Sequence, residues 1–390
     1  MKFFHTADWH LGKIVQGVHM TDDQRFVLEQ LIEAARQERP DAIVIAGDLY
    51  DRAVPPTDAV RLLDDVLSEI VLGLGIPVIA VAGNHDSPNR LHFGSGFMGQ
   101  RGYHISGLLE NGAEPVVLSD GFGEVHFHCV PFADPSIVRG VYDAPEVTGH
   151  DAAMGCVLDE MQGRFDERAR HVFVGHAFVT PGAEPEENTS TSERPLSVGG
   201  AEYVDASRFS LFHYTALGHL HRAHSVGSET VRYSGSPLKY SISEETHRKG
   251  FLAVELDGDG RVQVEHRPLK PRRDMRTVEG TLAELLEMAP SEDYVFVRLL
   301  DRAPVLYPME RIRTVFPNAL HVERMMPIHR ESASGSRGSL SEMDDLTMFR
   351  AFHEEVEGSA PDEETEALFR EMLDELLGAE RESEKEAVRK

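Results

Sequence analysis

Residues 78–86 read VIAVAGNHD, and the fold is decided by how that stretch ends. Val78, Ile79, Ala80, Val81 and Ala82 follow Pro77 as an apolar run. The run is long enough for a buried strand and too short for a helix. Gly83 lets the chain turn tightly without a Cβ penalty. Asn84, His85 and Asp86 are then delivered at the strand's carboxyl end, where open α/β sheets collect their ligands.

The same ending recurs along the chain. KFFHT (2–6) runs into Ala7, Asp8, Trp9 and His10, and AIVIA (42–46) runs into Gly47, Asp48, Leu49, Tyr50, Asp51 and Arg52. Val172-Phe173-Val174 closes on Gly175-His176, and Ala216-Leu217 on Gly218-His219-Leu220-His221. Between the early strands, Thr21 and Gln24 have capping-box spacing ahead of an apolar stripe at Val27, Leu28, Leu31, Ile32 and Ala35. A second helix is expected from about Thr57 to Leu72, with Leu62, Leu63, Val66, Leu67 and Ile70 on one side. The β-α-β-α-β order predicts a mostly parallel, layered α/β sheet.

Composition sets bounds. The 390 residues suffice for two or three domains, and 41% hydrophobic with 27% charged residues is ordinary for a soluble globular protein. Cys129 and Cys156 give neither a disulfide framework nor a thiolate cluster. No apolar run reaches membrane-spanning length, and the N-terminus opens on strand-like residues rather than a signal, so the chain is expected in the cytoplasm. The net charge of −27 argues against holding nucleic acid by bulk electrostatics, which needs many Lys and Arg contacts. A polyanionic substrate would require bound cations or a local Arg cluster.

Beyond the strand-ending motifs the pattern changes. Residues 183–195 read as an exposed polar loop, and 230–265 as hairpins turning at Asp257-Gly258-Asp259-Gly260. After HRPLKPRR, residues 271–330 read as a small strand-helix-strand-helix-strand module. ESASGSRGSLS (331–341) is a Ser/Gly linker. Residues 342–390 hold two amphipathic helices, with stripes at Leu346, Phe349, Phe352 and Val356, and at Leu368, Phe369, Met372, Leu373, Leu376 and Leu377. His126 and His128 also form H-x-H. Strand alternation puts Val125, Phe127 and Cys129 on the core face and leaves both histidines on a solvated one.

Eight ligand-type groups, Asp8, His10, Asp48, Asn84, His85, His176, His219 and His221, thus leave strand ends at one sheet edge. Mixed Asp, His and Asn donors without Cys suit Mn²⁺, with Zn²⁺ or Fe²⁺ open. Eight groups exceed one ion's coordination and fit two ions sharing a carboxylate. Two such ions clamp the attacking and leaving oxygens of a phosphoryl displacement, and they offset the acidic field facing a phosphate.

In that order the motifs D-x-H, G-D, G-N-H-D, G-H and G-H-x-H resemble the calcineurin-like metallophosphoesterases. GDLYDRAVPP, SERPLSVGGAEYVDAS, GHLHR and YSGSPLKYS resemble the SbcD family of bacterial nuclease subunits. The likeness is strong over the first 270 residues and one of layout beyond them. It implies an α/β/β/α core (1–270), a small α+β capping and DNA-binding domain (271–330), the linker, and C-terminal helices that dock on the coiled coil of an SbcC-type ATPase. It implies a Mn²⁺-dependent nuclease acting in DNA end processing, repair and recombination: a 3′–5′ double-strand exonuclease and a single-strand and hairpin endonuclease. It also implies a homodimer that forms a heterotetramer with the ATPase.

Residue by residue, the resemblance implies that Asp8, His10 and His221 hold one Mn²⁺. Asn84, His176 and His219 would hold the other, with Asp48 bridging. His85 would act beside the scissile phosphate, and Asp86 would orient His85. Arg52 has two readings, a phosphate contact or a surface ion pair. A phosphatase of the same superfamily and a catalytically inert scaffold are the competing functions.

Overall fold

The computed structural model describes residues 1–182, 190–191, 193, 203–301, 303–325 and 345–373. The linker 331–341, most of the loop 183–195, and Leu376 and Leu377 lie outside the described residues. Contacts divide the chain into two compact units, 1–298 with 306–323, and 299–305 with 324–390.

In chain order the first unit opens with β1 (Lys2–Thr6), α1 (Thr21–Glu38), β2 (Ala42–Ile45), α2 (Thr57–Leu67), β3 (Val78–Val81) and β4 (Tyr103–Ser106). It continues with β5 (Val116–Asp120), β6 (Gly123–Val130), α3 (Pro135–Tyr142), α4 (His150–Gln162), β7 (Arg170–His176) and β8 (Tyr214–Gly218). Then come β9 (His224–Val226), β10 (Ser228–Tyr233), β11 (Gly250–Leu256) and β12 (Val262–Pro268).

These strands form two six-stranded sheets, ordered β12-β11-β1-β2-β3-β4 and β9-β10-β8-β7-β6-β5. The β1-β2-β3-β4 run is parallel, as is β10-β8-β7-β6, with antiparallel strands at the edges. The β11–β12 hairpin turns at Asp257 to Gly260, as expected. Alternation explains the layers. Phe3, Val44, Ile79, Val81, Phe127, Val172, Val174 and Tyr214 interleave between the sheets. The opposite faces of the same strands, including Ile43, Ile45, Val78 and Phe173, pack under α1 and α2 on one side and under α3 and α4 on the other. The result is the α/β/β/α sandwich.

Two local readings change. Thr21 and Gln24 form no capping box: the N-cap of α1 is Met20, without a side-chain cap. Gln24 is buried and clamps the turn after β1, donating to the carbonyls of Trp9 (3.0 Å) and His10 (2.7 Å) while accepting from the Gly12 N–H (3.0 Å). His126 and His128 are not on a solvated face, because the outer face of β6 is covered; His128 is buried and His126 half-buried.

A three-stranded sheet follows, β13 (Met275–Gly280), β14 (Tyr294–Leu299) and β15 (Ala319–Arg324), with α5 (Leu282–Leu286) and α6 (Pro308–Ile312) between them. Part of the basic run is paired internally: Arg267 with Glu38 and Glu265, Arg273 with Asp23, and Arg276 with Asp293, while Lys270 and Arg272 are exposed. In the second unit, α7 (Asp345–Glu357) and a helical segment over 363–373 stack Phe349 on Phe369 at 4.0 Å, and Arg350 pairs with Glu366. Phe352 (65% exposed), Leu368 and Met372 (62%) stay uncovered.

Candidate metal centre

All the predicted ligand positions lie at the carboxyl ends of parallel strands, but at two sheets rather than one. The turns after β1, β2 and β3 supply Asp8, His10, Asp48 and Asn84; β7 and β8 end in His176, His219 and His221 from across the sandwich. The turns are laced together by backbone bonds from Asp8 N–H to Gly47 (3.0 Å) and from His10 N–H to Asp48 (2.9 Å). The Asp8 carboxylate accepts the His219 backbone N–H (2.9 Å) and so joins the two sheets.

Four of these residues, Asp8, His10, Asp48 and His219, have φ between +46° and +113°. Such backbone costs of order 1–3 kcal/mol per residue and persists where the surroundings over-determine it. Gly47 and Gly83 are needed for close approach. A Cβ on Gly47 would lie 2.3 Å from His176 Nδ1, and one on Gly83 2.1 Å from Asp48 Oδ1.

The side chains gather in three overlapping sets, Asp8 with His10 and His221, Asp8 with Asp48 and His176, and His10 with Asp51 and His85. His10 Nε2 and His221 Nε2 are 3.1 Å apart. Asn84 Oδ1 lies 2.9 Å from His176 Nε2 and 3.4 Å from His219 Nδ1. Asp48 Oδ2 stands between the sets, 3.6 Å from His10 Nε2 and 3.5 Å from His176 Nε2.

The electrostatics fit divalent cations. Burial, then the Asp48 charge, push the Asp8 carboxyl well above its usual range. Burial, then neighbouring imidazoles, push His10 and His219 well below theirs. His176 is also lowered by burial. Burial thus favours the neutral, ligating form of His10, His176 and His219 and disfavours the charge on Asp8, a charge that divalent cations would offset.

His85 lies at the same mouth, its ring 4.7 Å from that of His10, and its backbone N–H bonds Asp48 Oδ1. The expectation that Asp86 orients His85 is corrected. The His85 Nδ1–H donates to the Asp51 carbonyl (2.8 Å). Asp86 instead accepts three backbone N–H groups, from Leu49 (3.1 Å), Tyr50 (2.9 Å) and Gly83 (2.9 Å). Asp86 thus fixes the turns that carry Asp48 and Asn84. Burial and Asp48 push its carboxyl up to about 7 despite those bonds. Arg52 is 56% exposed and lies 3.7 Å from Asp51.

The outer partners have no sequence signal of their role. Glu244 Oε1 is 3.1 Å from His221 Nδ1, and its Oε2 accepts from Lys249 Nζ at 2.5 Å. Lys249 also donates to the His221 carbonyl and Ser236 Oγ (2.8 Å each), and Glu193 Oε1 accepts the His221 N–H. Glu244 follows the YSGSPLKYS motif by three positions, which marks its place and nothing more.

Comparisons with known proteins identify the family. Residues 1–222 match the calcineurin-like phosphoesterase family model, and residues 271–357 match the type 5 capsule protein repressor C-terminal domain. The SbcD chain of the SbcCD nuclease from Staphylococcus epidermidis is 33% identical over 91% of this chain and 93% of its own. That of Staphylococcus saprophyticus is 36% identical over 92% and 94%. A dimetal phosphatase structure from Danio rerio aligns over 69% of this chain and 96% of its own at 14% identity, with a TM-score of 0.41. The relatives and the matched family both mark a metal-dependent phosphodiester hydrolase, and the chain belongs to the calcineurin-like phosphoesterases and, within them, to the SbcD family of the SbcCD nucleases.

Proposed function

We propose that this chain is the Mn²⁺-dependent nuclease component of an SbcC–SbcD-type complex that cuts DNA ends in repair and recombination. Its actions would be 3′–5′ double-strand exonuclease and single-strand or hairpin endonuclease. The observation that carries this reading is the cluster of ligand sets that share Asp8, with Asp48 Oδ2 between His10 and His176, in a relative of SbcD nucleases matched over nine-tenths of its length.

Asp8, His10 and His221 would hold one ion and Asn84, His176 and His219 the other, with Asp48 shared. When bound, the two ions would clamp the attacking and leaving oxygens of an in-line displacement. The protein's own part is positioning and proton transfer. The Asp51 carbonyl accepts the His85 Nδ1–H; with Nε2 protonated as well, the imidazolium would give that Nε2 proton to the leaving sugar oxygen and be left as the neutral Nδ1–H tautomer. Asp86 keeps the flanking turns in place, and Arg52 at the mouth steadies a neighbouring phosphate.

Residues 1–270 would be the nuclease domain and 271–330 the capping module. The uncovered Phe352, Leu368 and Met372 would be the face that docks on the ATPase coiled coil. The assembly would be a cytoplasmic homodimer, or a heterotetramer with the ATPase; among the described residues no helix is long and apolar enough to cross a membrane.

The test is hydrolysis of linear duplex DNA and of p-nitrophenyl phosphate, with Mn²⁺, Mg²⁺ or Zn²⁺, with and without the ATPase. Mn²⁺-dependent DNA cleavage is expected. Phosphate ester turnover with DNA untouched under every condition would establish the phosphatase reading instead.

A further inference from the structure

A second group of imidazoles lies away from the site described above. His126 and His128 leave the outer face of β6, and His171 stands beside His126 in the parallel register of β7. Along β7, His171 is five residues before His176, about 16 Å away at the rise of a strand. One nitrogen from each ring lies within 4.8 Å of the other two. We propose that His126, His128 and His171 form a separate mononuclear site for a Zn²⁺-class ion, built on the far end of the second sheet.

Three features carry this. The first is the approach of His128 Nε2 to His171 Nδ1 at 2.9 Å, which repeats the His10–His221 approach of 3.1 Å in the metal centre. A tetrahedral ion with bonds of about 2.0–2.1 Å sets its ligand nitrogens roughly 3.3 Å apart, so a few tenths of an ångström of opening suffices. The second is pre-orientation. His171 Nε2–H donates to the Asp166 carbonyl (3.0 Å), which fixes Nδ1 as its lone-pair atom, and Phe165 stacks on that ring at 4.1 Å. A carbonyl holding the far nitrogen of a ligating imidazole is the usual outer support of such sites. The third is the rim, where Glu124 Oε2 lies 2.9 Å from His126 Nε2 and offers a carboxylate at the surface. Burial holds His128 and His171 below the usual imidazole range, so both are neutral without metal. Binding then needs only that the His128 proton pass from Nε2 to Nδ1.

A set of imidazoles without Asp prefers Zn²⁺, Cu²⁺ or Ni²⁺ over Mn²⁺. That separates it from the mixed Asp/His/Asn centre and makes a different ion the probe. The test strips the full-length chain with chelator, reloads it with Zn²⁺, and counts bound ions by elemental mass spectrometry, with a Co²⁺ titration read by visible absorption. The native chain should hold three ions, one with tetrahedral Co²⁺ intensity. His126→Gln, at the half-buried ring of the three, should hold two, lose that absorption, and lose the Zn²⁺-induced rise in Tm. Its Mn²⁺-dependent cleavage should equal that of the native chain. His128→Gln should give the same count. Two ions in the native chain, or three in both variants, would overturn the proposal, whatever the outcome of the nuclease assay.

Discussion

The two ends of the sandwich are built on opposite electrostatics. At the carboxyl ends of the parallel strands, buried carboxylates and imidazoles face one another across strained turns, with Asp8 pushed up and His10 and His219 pushed down. At the other end the charges are matched. The Met1 ammonium lies 2.6 Å from Asp120, and Arg170 donates to both Asp120 oxygens (2.6 and 3.1 Å) and to the carbonyls of Gly123, Leu256 and Asp257. Around Asp120 the protein's own ammonium and guanidinium balance the charge, whereas around Asp8 and Asp48 burial leaves it for divalent cations to offset. The difference teaches that the fold tolerates a cluster of buried carboxylates and imidazoles at one end while the charges at the other are paired.

The contrast breaks most visibly at Asp48. Asp48→Asn should have the largest effect on cleavage, because on the proposed reading it removes the carboxylate that both ions would share. The metal-free variant should melt no lower than the native chain, because the charge that helps push up Asp8 and Asp86 is gone. Activity, metal content and Tm in chelator check this. A lower metal-free Tm would mean that the cluster stabilises the fold, and the contrast would fail.

His85→Gln should cost about 10²–10⁴-fold in turnover, the range of a lost proton donor, while two ions stay bound. Metal content measured beside activity separates this from Asp48→Asn. Glu244→Gln should be milder, about 10- to 100-fold in metal affinity or activity, the usual cost of removing a partner behind a ligand. Raising Mn²⁺ should rescue Glu244→Gln and not His85→Gln.

The order of those effects follows how legible each residue is in the sequence. Asp8, His10, Asp48, Asn84, His176, His219 and His221 can be read because each ends an apolar run, so period and position give their direction. Glu244 and Lys249 cannot, since they act through contacts 23 and 28 residues from His221 that no local pattern encodes. Gln24 misleads for the same reason: its capping-box spacing is real, but its amide closes the turn after β1 instead. Asp86 is next to His85 in sequence yet points at backbone amides, and a carbonyl 34 residues away takes the ring. Layers and parallel strand order are readable from alternation. That two sheets, not one, meet at the site is not, because a strand does not announce its sheet.

The smallest effect on turnover belongs to the matched end, and it is the sharpest check on the contrast. Burial alone would raise the Asp120 carboxyl, but Arg170 and the Met1 ammonium overcome it and hold Asp120 below the usual carboxylate range. A depressed carboxylate contributes stability that is fully present above its unfolded value, about 4, and is lost as pH falls toward the folded one. Asp120→Asn should therefore leave cleavage per folded molecule unchanged and cost about 2 kcal/mol at pH 7, between an exposed and a fully buried pair. In Tm that is a fall of roughly 4–8 °C. Melting native and variant chains from pH 7 to pH 3 reads the linkage directly, because the gap should hold at neutral pH and narrow below about pH 4. A gap that stays constant into acid would show that Asp120 acts through shape rather than charge, and the matched end would then owe its stability to packing.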